Sequence, residues 1–260
     1  MDYSNYKYLL TNNNLIISSK IRNRIQFRPP LGKYNKEINK LVLRLAKDEG
    51  ADPPIGLIDI KIKELLSKDF PKLEFIPDRN YFDYVYKSSD LFQLPGSAYS
   101  KIRNRLNKFK NNWSYSIENI TKENIKEIDK FLHRWCLWKD CESDPLLEAE
   151  KKAILYSMEN FFNLNLSGIA LRIEKNIEAI SIYEKINQDT AVIHYEKASP
   201  DFDGIYKAIN QETAKILQNN FKFINRESDM GIEGLRKAKK SYRPHHMVEV
   251  YHIHKKNLIF

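Results

Sequence analysis

The chain has 260 residues, 42% of them hydrophobic and 30% charged, with a net charge of +9 and a pI near 9.2. That length and balance fit one large or two small globular domains with cores of their own, and no run approaches the roughly 18–20 apolar residues that span a bilayer. The start, MDYSNYKYLL, lacks a basic stretch ahead of an apolar core and a small-residue cleavage site, so a cytoplasmic protein is expected. Cys136 and Cys141 make neither a disulfide framework nor a zinc pattern and read as reduced packing residues. The excess of bases leaves two readings open, a solvated lysine surface or a surface for nucleic acid or phosphate, and only the placement of the charges separates them.

In chain order, LIISSKI and RIQFRPPLG read as strands, KEINKLVLRLAKDEG as a helix ended by Gly50, and IGLIDI as a strand. KIKELLSKDF follows as a helix and LEFIPDRNYFDYVY as strand material. SAYSKIRNRLNKFKNN is a basic amphipathic helix. Ile102, Leu106 and Phe109 make its apolar stripe, and Lys101, Arg103, Arg105, Lys108 and Lys110 take the other faces without an acid among them. It reads either as a solvated connector or as a phosphate-tracking helix at a domain junction.

WSYSI is a strand, and Thr121 caps a helix marked by Ile125, Ile128, Phe131, Leu132 and Trp135; residues 146–163 make a second helix. LSGIALRIE, IEAISIYEKI and AVIHYEKA form an antiparallel meander. A helix from Gly204 to Asn219, the strand FKFINRE, the helix IEGLRKAKKSY and one last strand, HMVEVYHIHK, close the chain. This order is similar, element for element, to the acyltransferase fold called GNAT. The first hundred residues echo its back half, and GKYNKEIN at 32–39 resembles GIYKAIN at 204–210. The expectation is an α+β chain of two GNAT-like (acyl-CoA N-acyltransferase-like) copies: an incomplete one at 1–98, a linker helix at 99–112 and a complete one at 113–260.

There is no phosphate-binding P-loop, no dinucleotide fingerprint, no nucleophile elbow and no His-Glu-x-x-His. His252 and His254 share a strand face but have no carboxylate or cysteine at ligand spacing, so they read as an edge-strand pair and no metal is expected. Coenzyme A is disfavoured. Enzymes of the GNAT fold hold its pyrophosphate on amides at the start of the helix after the fourth strand, and here that loop, KASPDFDGIY, carries Asp201 and Asp203, which repel it.

The stretch NRESDMGIEGLRKAKKSYRP is the densest in charge. It reads as a strand end at Asn225, Arg226 and Glu227, a turn from Asp229 to Gly231, and a helix closed by Pro244, with Leu235 and Ala238 facing the sheet. Acids at the start of the helix and bases at its end suit the macrodipole, which accounts for the order of the charges but less well for five bases with Tyr242 at a strand end. Together with HYEKASPDFDGIYKAINQE and NYFDYVYKSSDLFQLPGSAYSKIRNRLNKF, this segment resembles the phosphatidylglycerol lysyltransferase C-terminal-like family over nearly the whole chain, in its short soluble branch. Membrane-bound relatives take an amino acid from aminoacyl-tRNA and esterify it to a lipid head group. In them a Lys-x-x-Phe-x-Pro helix end is similar to Lys239, Tyr242 and Pro244.

The resemblance implies an aminoacyltransferase using aminoacyl-tRNA as co-substrate, with no further cofactor, acting on a hydroxyl or amine acceptor such as a small molecule or a lipid head group. An activated ester needs mainly positioning and charge stabilisation. Lys239 is the candidate for the oxyanion, and Asp229 or Glu196 for the acceptor's proton, although either carboxylate also reads as a structural partner. Arg236 and Arg243 are candidates for phosphate, and Tyr242, Asn225, Arg226, Glu233, Arg103 and Arg105 complete the expected substrate-binding set. Two alternatives stay open: a non-catalytic pair of GNAT folds that binds RNA or a protein partner, and an atypical acyl-CoA N-acyltransferase.

Overall fold

The computed structural model describes residues 4–21 and 24–257. Its first strands, β1 (Ser4–Thr11) and β2 (Asn14–Ile21), form a hairpin around Asn12 and Asn13, which take φ of 46° and 56°. That backbone matches the twist of paired strands, and asparagine tolerates it. β1 escapes detection by alternation because Tyr6, Tyr8, Leu9 and Leu10, on both of its faces, are exposed. β3 (Arg24–Phe27) completes an antiparallel meander. α1 (Lys36–Asp48) starts where the Asn35 side chain accepts from the Glu37 and Ile38 amides, and it buries Ile38, Val42, Leu43 and Ala46. The strand expected at IGLIDI shrinks to β4 (Ile58–Asp59), because Leu57 turns the chain at φ 55° and Asp59 already caps α2 (Ile60–Asp69). The strand material after it divides into β5 (Phe75–Pro77) and β6 (Asp83–Lys87), in different sheets.

After α3 (Ser88–Gln93) and the basic helix α4 (Ser100–Asn112) come β7 (Tyr115–Asn119), α5 (Ile125–Lys139) and α6 (Pro145–Glu159). Thr121 does not cap α5. The cap position is Asn124, whose side chain folds back to accept from the Thr121 amide. The meander is β8 (Ser167–Ile173), β9 (Asn176–Lys185) and β10 (Thr190–Ala198), followed by α7 (Ile205–Leu217), β11 (Phe223–Asn225) and α8 (Glu233–Ser241). On α8 the expected inward face is rotated. Ala238 is exposed and Lys239 is buried, because the lysine stem packs inward while its ammonium finds backbone partners.

The last strand is two strands, β12 (His246–Val248) and β13 (Val250–Ile253), split at Glu249 and placed in different sheets. One sheet runs β12-β6-β11-β10-β9-β8-β7, and a smaller one runs β4-β13-β5. The element series β1-β2-β3-α1-β4-α2-β5 repeats as β8-β9-β10-α7-β11-α8-β12, and nothing in the first series answers to β7, α5 and α6. The fold is therefore tandem GNAT with an incomplete front copy. β6 follows the first series and β13 the second, yet each is inserted in the sheet of the other series.

By contacts the chain forms two compact units. One comprises the described part of Met1–Asp83, Ser228–Glu233 and Met247–Phe260; the other comprises Tyr84–Glu227 and Gly234–His246 and includes α4. The first is built on Phe27, Val42, Leu43, Ile55, Ile58, Leu66 and Ile253. A cluster in the second holds Ile128, Phe131, Leu132, Trp135, Ala170, Ile180 and Ile182, with Cys136 and Cys141 buried as free thiols. Among the described residues, no helix is long and apolar enough to cross a membrane.

Candidate functional site

In the second unit β10 and β11 run parallel but pair only from Thr190 to Val192 against Phe223 to Asn225. Just beyond, the register of β10 on β9 slips between Ile193 and Tyr195, leaving His194 in a bulge. Bulges re-aim strands, and the carboxyl ends of parallel strands that lose each other's pairing are where α/β folds place ligands. Here β10 offers Glu196, and the chain leaving β11 offers Arg226.

The Arg226 guanidinium donates to the Glu196 carboxylate, and the two side chains are 15% and 10% exposed. Asn210 of α7 donates its amide to the same carboxylate at 3.0 Å. The guanidinium carbon lies 5.0 Å from the centre of the Tyr242 ring and 5.9 Å from that of Tyr86. Burial opposes the charge on Arg226, but Glu196, with Tyr86 and Tyr242, outweighs it and raises the pKa. Burial likewise pushes both phenols up, which keeps them neutral.

Two further cations border this pair. Lys207, in the first turn of α7, has Nζ 4.8 Å from the Tyr242 ring centre. Burial first, then Arg226 and Arg105, bring its pKa down to about 8. Lys239 of α8 donates from Nζ to the main-chain carbonyls of Arg226 and Glu227, the latter at 3.1 Å, and lies 5.9 Å from the Tyr84 ring centre. The end of α8 is pinned by two phenols: Tyr86 Oη donates to the Lys239 carbonyl at 2.8 Å and Tyr99 Oη to the Tyr242 carbonyl at 3.0 Å.

His194 in the bulge bridges Glu227 and Glu184, at 2.9 Å to each. The hydrogen bond to Glu227 leads in raising its pKa, against burial and with help from Glu184. A raised histidine pKa stabilises the fold fully below the unfolded value of about 6.5 and loses that contribution as pH climbs through the folded value. The melting-temperature gap between wild type and His194→Gln should therefore be widest near pH 6 and close as pH rises. A gap independent of pH would show that the bridge carries no charge.

The other expected residues are spread more widely. Asp229 is fully buried in the first unit, where it accepts from Arg79 at 3.3 Å and from the Gly231 amide at 2.9 Å. The buried side chain of Asn225 accepts from the Glu227 amide at 2.7 Å. Arg236 is half-buried, while Glu233 and Arg243 are exposed, and Arg243 takes φ 53° just before Pro244. Arg103 donates to the carbonyls of Leu94 and Gly96, and Arg105 pairs with Asp203 at 2.7 Å. The structure thus gathers Glu196, Arg226, Lys239 and Tyr242. It adds Lys207, Asn210, Tyr86 and His194, none of which stands out in sequence. The available signal was the spacing of Lys207 and Asn210, three apart on α7, opposite Glu196.

The start of α7 is covered. A Cβ on Gly204, whose φ is 96°, would meet the Arg105 carbonyl oxygen at 2.7 Å and Phe109 Cβ at 2.9 Å, and Phe202 stacks edge-on against Trp113 with ring centres 4.8 Å apart. Gly204→Ala should cost about 1–3 kcal/mol from strained backbone alone, with the clash against α4 added, read as a lower denaturant midpoint. An unchanged midpoint would mean that α4 does not press on this turn.

His252 lies on β13, which is the middle strand of its sheet and not an edge, and its Nδ1 is 3.6 Å from Asp78. No group of three metal-ligating side chains occurs among the described residues.

A family model described as phosphatidylglycerol lysyltransferase, C-terminal, matches residues 1–254, and the chain belongs to that family of transferases. A solved protein of unknown function from Bacteroides thetaiotaomicron VPI-5482 is 30% identical, with a TM-score of 0.85 over 96% of this chain and 86% of that one. L-PGS from Bacillus licheniformis is 14% identical and shares the fold, with a TM-score of 0.65 over 97% of this chain and 84% of its own. An uncharacterized Mycoplasmoides gallisepticum protein is 23% identical over 172 residues, 65% of this chain; the match spans about half, 54%, of that relative.

Proposed function

With membership of that transferase family as the premise, we propose that this chain moves an amino acid from aminoacyl-tRNA to a hydroxyl or amine acceptor. The observation that carries the reading is the pairing of Arg226 with one carboxylate, Glu196, where β10 and β11 part company, with Lys207 close by and Lys239 fixed on the Arg226 and Glu227 carbonyls. In the reaction the acceptor oxygen or nitrogen bonds to the ester carbonyl carbon, the ester C–O bond breaks, and the acceptor's proton ends on the ribose oxygen that leaves. Negative charge develops on the carbonyl oxygen, and a cation already fixed by backbone carbonyls, as Lys239 is, stabilises it without reorganising. Glu196 takes the acceptor's proton. Asp229 is assigned a structural role, since its carboxylate serves Arg79 and the Gly231 amide. Exposed Arg243 and half-buried Arg236 hold phosphates of the tRNA.

Coenzyme A has no part in this reading. The α7 terminus that would hold a pyrophosphate is packed under α4, and Asp203 stands beside it. Calorimetry at physiological salt should give no micromolar binding of acetyl-CoA, and a micromolar Kd would restore the acyl-CoA alternative. One feature favours the non-catalytic alternative: Lys239 and Asp229 both hold structural contacts. The experiment that separates the two is incubation with a mixture of charged tRNAs, following which amino acid is lost and where it goes. Loss of one amino acid to a defined acceptor supports transfer, and no loss beyond spontaneous hydrolysis rejects it.

A further inference from the structure

The cluster at the ends of β10 and β11 carries more positive than negative charge. Glu196 is already engaged by Arg226 and Asn210, and among the described residues Lys207 has no ion-pair partner. Among the described residues, Arg226 Nε in the same cluster has no acceptor and Asn210 Oδ1 has no donor, although both are buried. Buried polar atoms in native proteins nearly always find partners, and each exception asks for a water, an ion or a ligand. The open valences are two cationic donors and one amide acceptor beside a carboxylate.

We infer that Lys207 and Arg226 form a subsite for a carboxylate, with Asn210 and Glu196 receiving an ammonium a few atoms away, so that the substrate presents an acidic aminoacyl group or the end of an amino acid. The placement of this pair of charges in the reaction rests on the transfer reading above; the binding itself does not. A guanidinium and an ammonium side by side hold carboxylate oxygens through charge-assisted hydrogen bonds. They repel a lysyl side chain, so the subsite departs from the amino acid in the family's description. The charges facing Lys207 are Arg226 at the end of β11, Arg105 of α4 and Glu196 of β10, with the Tyr242 phenol beneath it. Burial first, then Arg226 and Arg105, depress its affinity for a proton, and a bound carboxylate opposes that effect. At Lys207, binding near pH 8 therefore takes up a fraction of a proton, up to about half, in addition to any taken up by the ligand's own α-amine.

The test uses the full chain without tRNA. Aspartic acid α-amide and glutamic acid α-amide carry a side-chain carboxylate and an α-ammonium, alanine carries only the α-carboxylate and α-ammonium, and lysine amide carries no carboxylate. Titration calorimetry in two buffers of different ionisation enthalpy reads affinity and proton uptake together. Binding of the acidic amides but not alanine is expected if the donor's side chain occupies the subsite; binding of alanine as well identifies an amino-acid or peptide acceptor. In either case affinity should rise as pH falls from about 9 to 7. Lys207→Gln should weaken it about tenfold or more and lower proton uptake to what the ligand's own α-amine contributes, while Lys207→Arg should keep the affinity and show the same lowered uptake. Lysine amide binding as tightly as the acidic amides, no binding by any of the four, or a Lys207→Gln protein unchanged in affinity would overturn the inference. Failure of the charged-tRNA assay with these affinities intact would reject transfer and leave the subsite standing; transfer without such binding would do the reverse.

Discussion

Arg226→Met should lower the stability of the second unit by about 3–5 kcal/mol, because it strands the Glu196 carboxylate without its cation in a site where both side chains are largely buried. At roughly 2–4 °C per kcal/mol for a chain of this size, the melting temperature should fall on the order of 10 °C. Asn210, which would still donate to Glu196, cannot neutralise a charge. Adding Glu196→Gln to Arg226→Met should return most of the loss, since a neutral amide in the same place avoids the cost of an unpaired buried ion. The measurement is a double-mutant cycle from denaturant melts of wild type, both single variants and the pair. If the two losses simply add, Arg226 and Glu196 do not act as a pair and the cluster described above is not held by charge.

The second large effect concerns Lys239. Lys239→Ala should reduce transfer from aminoacyl-tRNA by about 10²–10³, the range seen when a preorganised donor to a developing oxyanion is removed, while tRNA affinity changes little. The same change removes the ammonium from the carbonyls of Arg226 and Glu227, so a stability loss of about 1–3 kcal/mol is expected beside it, and activity must be compared at a temperature where both proteins are folded. The tRNA-binding residues should behave differently. Affinity for tRNA should fall steeply with salt, and Arg236→Ala with Arg243→Ala should flatten that slope by about one counterion for each phosphate that the protein no longer neutralises. Arg103→Ala and Arg105→Ala should flatten it too, but they also break the hydrogen bonds to Leu94 and Gly96 and the ion pair with Asp203. A folded Lys239→Ala protein that transfers at the wild-type rate, or wild-type tRNA binding indifferent to salt, would put the binding-protein alternative in front.

What the amino-acid sequence by itself determined is the succession of local elements. Turn residues and periodicity act over a few positions, so the helix α1 with Gly50 just beyond it, the meander from residue 167 to 198 and the Arg243–Pro244 stop after α8 are written in the residues themselves. The tandem fold follows from that order. Sequence misleads where the local pattern is ambiguous or contradicts its setting. β1 exposes apolar residues on both faces, Leu57 takes a backbone conformation unusual for leucine, and the helical lysine of α8 is the buried residue where alanine is exposed.

Sheet membership was decided only by tertiary structure. DYVYK and VYHI each specify a strand, but nothing local chooses the partner; β6 ends between β11 and β12, and β13 between β4 and β5, because long-range packing selects which edge each one fills. The site depends on the same choice. Glu196 and Arg226 lie thirty residues apart in sequence, and Lys207 looks like any surface lysine of an amphipathic helix. Their charges acquire chemical meaning only when the parting of β10 from β11 removes them from water and brings them together, since burial multiplies electrostatic interactions that solvent would otherwise screen.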